Sequence, residues 1–146
     1  MRAVDMFPKN VCLQHGCIKC CLNTEMPVSD CDVARLRALG FCKDFFVVEK
    51  NGWKRLRNSQ GRCVFHDGRL CTVYSCRPRG CRIYPVVFDP DSKKVGLDSF
   101  CPRCQKFQVT PRISDELMEL IQRLDFERNQ QVRNRNNAAA RIQKRE

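Results

Sequence analysis

The chain has 146 residues, 27 Lys and Arg against 16 Asp and Glu, a formal net charge of +11 and 12 cysteines. That length fits one compact domain with an appended arm and excludes most multidomain catalytic architectures. The apolar share of 42% falls to about a third of the chain once the cysteines are set aside, so a small domain of this composition relies on disulfides or metal for part of its stability.

The first ten residues, MRAVDMFPKN, carry neither a basic leader followed by an apolar run nor a small-residue cleavage site. No stretch approaches the roughly 18 apolar residues that span a bilayer. The expectation is a cytoplasmic protein with no membrane partner, in whose reducing surroundings clustered cysteines bind metal more often than each other.

The string VCLQHGCIKCCL then brings Cys12, Cys17, Cys20 and Cys21. Cys17 and Cys20 form a Cys-x-x-Cys pair, able to share one ion with sulfur about 2.3 Å from zinc. Cys21 cannot easily point the same way as Cys20. The doublet therefore suggests two neighbouring centres or a polynuclear cluster, unless Cys21 is a small buried hydrophobe.

Ser29-Asp30 ahead of Val33, Leu36, Leu39 and Gly40 reads as a short capped helix ending at a glycine. Phe45 to Val48, Asn51-Gly52 and Trp53 to Arg57 read as a hairpin on a type I′ turn. A second hairpin is expected around Asp67-Gly68, joining Cys63-Val64-Phe65 to Cys71-Thr72-Val73. A third pairs Tyr84 to Phe88 with Val95 to Leu97 across Asp89-Pro90-Asp91. Cys31 and Cys42, in and beside the short helix, read as core or incidental.

The second cysteine set, Cys63, Cys71, Cys76 and Cys81, matches no common zinc-finger or ferredoxin spacing. Arg77, Arg79 and Arg82 are interleaved with its last two members, where cations would stabilise the net negative charge of a thiolate site. The same arginines would serve as solvated loop charge. Cys101-Pro-Arg-Cys104 is another Cys-x-x-Cys pair. His15 and His66 lie beside cysteines and could supply nitrogen ligands, although a hydrogen-bonded histidine is the commoner outcome.

From Ser114, the stripe Leu117, Leu120, Ile121, Leu124 behind a serine cap predicts an amphipathic helix. The domain is thus expected over residues 1–126. Residues 127–146, with six basic and two acidic side chains, form a basic helical extension or a flexible arm. Residues 50–110 hold thirteen basic against four acidic side chains and half the cysteines. The expected fold class is a small α+β metal-binding domain, with short hairpins and cysteine-bearing loops beside a C-terminal amphipathic helix.

Three strings taken together, HGCIKCCLNTEMPVSDCDVARL, CVFHDGRLCTVYSCRPRGCRIYP and DSFCPRC, resemble the CxxCxxCC cysteine-cluster (YkgJ-type) family of zinc- or iron-chelating domains, related to flagellin lysine N-methylase. The resemblance covers roughly residues 11–104. It implies metal binding at Cys17, Cys20, Cys21, Cys63, Cys71, Cys81 and Cys101. Cys12 departs from the family's spacing, preceding Cys17 by five residues, and Cys76 and Cys104 lie outside the shared motif.

The functional expectation is a metal-thiolate protein holding an iron–sulfur cluster, of the [4Fe–4S] type, or zinc, with a redox, metal-handling or accessory role. One alternative is a component of a protein-lysine methyltransferase-like enzyme, although no Gly-rich loop follows a strand. The balance favours a metal-binding accessory or redox protein over a stand-alone enzyme. Another alternative is a basic RNA- or ribosome-associated accessory protein. Its positive charge supports non-specific phosphate binding through the C-terminal arm, and a protein partner is also plausible. Ligation would lower that charge, to roughly +9 for one four-thiolate [4Fe–4S]²⁺ site.

Overall fold

The computed structural model describes residues 19–143. Helix α1 (Asp30–Ala38) opens with a capping box: Ser29 Oγ accepts the Asp32 N–H at 3.2 Å, and Asp32 Oδ2 accepts the Ser29 N–H at 3.0 Å. Gly40, just beyond, has the left-handed φ of 101° that ends a helix at glycine. Both ends match the sequence expectation.

The next segment corrects it in part. Phe45 and Phe46, expected in a strand, belong to a helical turn, α2 (Lys43–Phe46). That turn buries Phe46 completely and sets its ring 5.4 Å from that of Phe65, while Phe41 and Phe45 close on Phe65 at 5.0 and 6.1 Å. Packing of four rings outweighs the β propensity of the sequence. The strands themselves, β1 (Val47–Lys50) and β2 (Trp53–Leu56), pair antiparallel from Val47↔Leu56 to Lys50↔Trp53. Asn51 and Gly52 both take positive φ in the turn between them, as a type I′ turn requires.

A hairpin not anticipated follows: β3 (Asn58–Ser59) and β4 (Arg62–Cys63) turn at Gln60-Gly61, again both at positive φ. The hairpin expected around Asp67-Gly68 is reduced to one bridge, His66↔Cys71. There the Asp67 carboxylate accepts the Arg69 and Leu70 N–H groups at 2.8 and 3.0 Å, so a side-chain turn replaces the ladder. Helix α3 (Arg79–Ile83) leads into the third hairpin, β5 (Val86–Asp89) and β6 (Lys94–Leu97), in register from Val86↔Leu97 to Asp89↔Lys94. Tyr84, expected to begin that hairpin, instead closes α3 by donating its N–H to Gly80.

Helix α4 (Pro111–Gln143) begins earlier than expected and is capped by Thr110 rather than Ser114. Thr110 Oγ1 accepts the Ile113 N–H at 3.2 Å, and Pro111 occupies the first turn, where its missing donor costs nothing. The helix then runs unbroken to Gln143. Among the described residues, no helix is long and apolar enough to cross a membrane.

Two apolar clusters organise these elements. The first gathers Val28, Val33 and Leu36 with Phe46, Val47, Leu56, Cys63, Phe65 and Val73. The second is the α4 stripe Ile113, Leu117, Leu120 and Leu124 against Ile83 and Val86. Leu36 is fully buried, worth about 1.5–3 kcal/mol relative to exposure. The β1–β2 hairpin joins the clusters, with Leu56 in the first and Trp53 packed on the second. Helix α3 joins them too, since Cys81 packs on the first and Ile83 is buried in the second.

A buried carboxylate on α4 fastens the two halves. Both oxygens of Glu127 accept the Asp30 N–H, at 3.2 and 3.1 Å, one of the orphan donors at the start of α1. Lys54 Nζ stands 2.7 Å from Asp30 Oδ1 and 3.9 Å from Glu127 Oε2. One residue further, Arg128 donates to Asn51 O at 3.2 Å and stacks over the Trp53 ring.

Candidate metal centre

Backbone pairing assembles the cysteine segments. Leu22 bridges Arg62, and Asn23 donates its N–H to Gly61 O at 2.9 Å, so Cys20 and Cys21 lie alongside the hairpin that carries Cys63. The His66↔Cys71 bridge, with the Thr72 N–H on Phe65 O at 2.8 Å, brings Cys71 back to the same segment. Cys81 is carried by α3. Cys21, Cys71 and Cys81 all pack against the cluster in which Cys63 is buried.

Electrostatics links four of these thiols. Burial, above all, pushes the Cys81 thiol up; Cys63, Cys20 and Cys71 add to the shift, and the Arg77 guanidinium opposes it. Cys63 is likewise raised by burial and by Cys71, against the Phe65 N–H directed at its sulfur. In such a pocket, thiols left to themselves keep their protons, and a bound cation inverts that preference. Soft donors drawn from four chain segments, one with an N–H on its sulfur, are the chemistry that holds zinc or iron. Among the described residues, no three His, Cys, Asp or Glu side chains already stand as a set able to hold an ion. Cys17, the partner of Cys20 in the Cys-x-x-Cys pair, lies outside the described residues, as do Cys12 and His15.

Cys101 approaches by a separate device. Tyr84 donates its hydroxyl to Asp98 Oδ2 at 2.8 Å, Asp98 N–H is donated to Pro85 O at 2.8 Å, and the Cys101 N–H closes a turn on Asp98 O at 3.1 Å. Burial and then the Asp98 carboxylate push the Tyr84 phenol far above its ordinary range, with Cys20 and Cys101 contributing. Tyr84 is therefore a fixed donor, and both Cys20 and Cys101 lie within its electrostatic reach.

The remaining candidates fall elsewhere. Cys31 and Cys42 are exposed. Cys76 sits half-buried with Sγ 3.9 Å from Ser75 Oγ, and Cys104 lies in a 3₁₀ turn, its N–H on Cys101 O at 3.1 Å. His66 is buried and accepts the Gly68 N–H on Nδ1 at 3.0 Å, so that nitrogen is committed to the loop. Burial holds its imidazole below the ordinary value, against the nearby Asp67 charge, and so favours the neutral form. Of the three arginines, Arg77 acts on Cys81 while stacking 3.8 Å over the Tyr74 ring, and Arg79 faces Glu119 at 3.8 Å.

A family model, CxxCxxCC, described as a "putative zinc- or iron-chelating domain", matches residues 11–105. The chain belongs to the CxxCxxCC family. The match covers every cysteine and both histidines of the sequence, and it ends just before the Thr110 cap of α4. No curated protein and no solved structure matches the chain. The chain is thus a small α+β unit of short hairpins, with a long C-terminal helix beyond the matched residues, and its cysteine cluster is of the zinc- or iron-chelating kind.

Three residues that hold the cysteine-bearing segments by hydrogen bonds, Asp32, Tyr84 and Asp98, carry no local signal of that role. Ser29-x-x-Asp32 carries the pattern of a capping box, but nothing local indicates that Asp32 also reaches α3, 47 residues away.

Proposed function

We propose that the CxxCxxCC domain holds an iron–sulfur cluster of the [4Fe–4S] type through four thiolates drawn from Cys17, Cys20, Cys21, Cys63, Cys71, Cys81 and Cys101. We further propose that it serves as a redox or metal-handling accessory protein in the cytoplasm. The observation that carries this reading is the half-buried Cys81 thiol within electrostatic reach of Cys63, Cys71 and Cys20. The adjacent Cys21 and the tethered Cys101 raise the donor count above the four that one ion needs. Once bound, such a cluster supplies one-electron chemistry. The chain's part is to present sulfur, direct the Phe65 N–H at Cys63, and set Arg77 against the negative charge of the thiolates.

A second reading, one closed tetrahedral zinc site, is favoured by the same four thiols, since Cys20, Cys63, Cys71 and Cys81 would supply the four thiolates that such a site needs. Anaerobic purification with iron, sulfide and zinc analysis separates the two. Iron and sulfide, with visible absorption that bleaches on reduction, are expected; stoichiometric zinc without either would replace the cluster by the zinc site.

A further inference from the structure

Asp32 is 1% exposed, and its carboxylate does more than cap its own helix. Oδ2 serves the capping box through the Ser29 N–H. Oδ1 accepts the Arg79 N–H at 3.1 Å and Arg35 Nη2 at 3.0 Å, and the same Nη2 also donates to Arg77 O at 2.9 Å. Arg79 is the first residue of α3, preceded by Pro78, whose side chain has no acceptor and which is itself fully buried. The orphan N–H at the start of α3 is therefore capped from α1 by Asp32. Asp32 and Arg35 together grip the Arg77–Arg79 strap on both sides of Pro78. Cys81 is the third residue of the helix that this strap begins. The strap also carries Arg77, the cation that acts on Cys81. A buried carboxylate is costly unless fully bonded, and only its reach to α3 and Arg35 occupies the second oxygen.

We infer that Asp32 is the positioning residue of the metal centre, holding Cys81 and Arg77 in place through the Arg77–Arg79 strap, with Arg35 as its second clamp. The inference rests on the ligand role proposed above for Cys81. A role confined to capping α1 would leave the centre indifferent to Arg35, which takes no part in the capping box.

The test uses the full chain and three variants. Ser29→Ala removes the cap and keeps the strap; Arg35→Met loosens the strap and keeps the cap; Asp32→Asn weakens both. Zinc affinity is read by competition with a chromophoric chelator. The rate of Cys81 alkylation in the metal-free chain is read by mass spectrometry. Arg35→Met and Asp32→Asn are expected to weaken zinc binding about 10- to 100-fold, the usual effect of losing a group that orients a ligand. Both should speed Cys81 alkylation, while Ser29→Ala changes neither. If Arg35→Met matches the parent in both measurements, or Ser29→Ala weakens zinc as much as Arg35→Met does, the inference is overturned. A parent chain that takes up neither zinc nor iron refutes the proposed function instead. The alkylation rates then decide the strap alone: faster in Arg35→Met sustains it, and unchanged overturns it.

Discussion

Tyr84 and Asp98 illustrate how single residues outside the cysteine set order a segment that carries a cysteine, here Cys101. Replacing Tyr84 by Phe removes the donor to Asp98 and should cost about 1 kcal/mol. Hydrogen exchange at the Cys101 amide, which closes its turn on Asp98, should quicken in that variant. Glu127 gives a pH-dependent prediction. Burial raises its carboxyl above the ordinary range, with the Asp30 charge adding to the rise and the Asp30 N–H and Lys54 opposing it. Because the folded value is the higher one, the contribution is fully present below the unfolded pKa and is lost as pH rises through the folded one. Glu127→Gln, which stays neutral, should melt close to the parent in acid and above it near neutrality. Thermal melts across that range check the divergence. At this scale the cysteines were legible because their type alone announces the chemistry. Asp32, Tyr84 and Asp98 were not, because each acts through a partner brought near only by the tertiary fold.

Among the elements, α4 depends on a close approach that only glycine allows. A Cβ on Gly52 would stand 2.8 Å from Val132 Cγ2 and 3.1 Å from Arg128 O, at a φ of +85°. Gly52→Ala should therefore destabilise the chain by about 1–3 kcal/mol, measured by denaturant titration. From Arg133 onward every described residue is exposed. A chain ended after Asn136 should keep the parent's stability to within about 0.5 kcal/mol. One ended after Phe126 loses Glu127 and Arg128 with their contacts and should be clearly weaker. The elements that local chemistry dictates, the capped α1 and the Asn51-Gly52 turn, were readable from sequence. The α2 turn and the Gln60-Gly61 hairpin were not: the first arises from packing of Phe46 against Phe65, and the second uses a turn dipeptide less distinctive than Asn-Gly or Asp-Gly.

Over the whole molecule, two modest apolar clusters are joined by a hairpin, the short helix α3 and the Asp30–Lys54–Glu127 contacts, with the cysteine segments folded onto the first cluster. The thin core anticipated from composition thus has a position: it lies beneath the thiols, where ligation would add the cross-links that aliphatic mass does not supply. Part of the net positive charge also has a structural use. Arg77 acts on Cys81, Arg128 stacks on Trp53, and Arg135 pairs with Glu49 at 3.1 Å. One thiolate centre built around Cys81 would leave a signature in the mass-spectrometric alkylation of every cysteine in the native chain, before and after removal of metal with a chelator. Cys20, Cys63, Cys71 and Cys81 should be protected beforehand and become reactive afterwards, with Cys31 and Cys42 labelled in both states. If chelation leaves the reactivity of those four unchanged, no thiolate centre is built around Cys81.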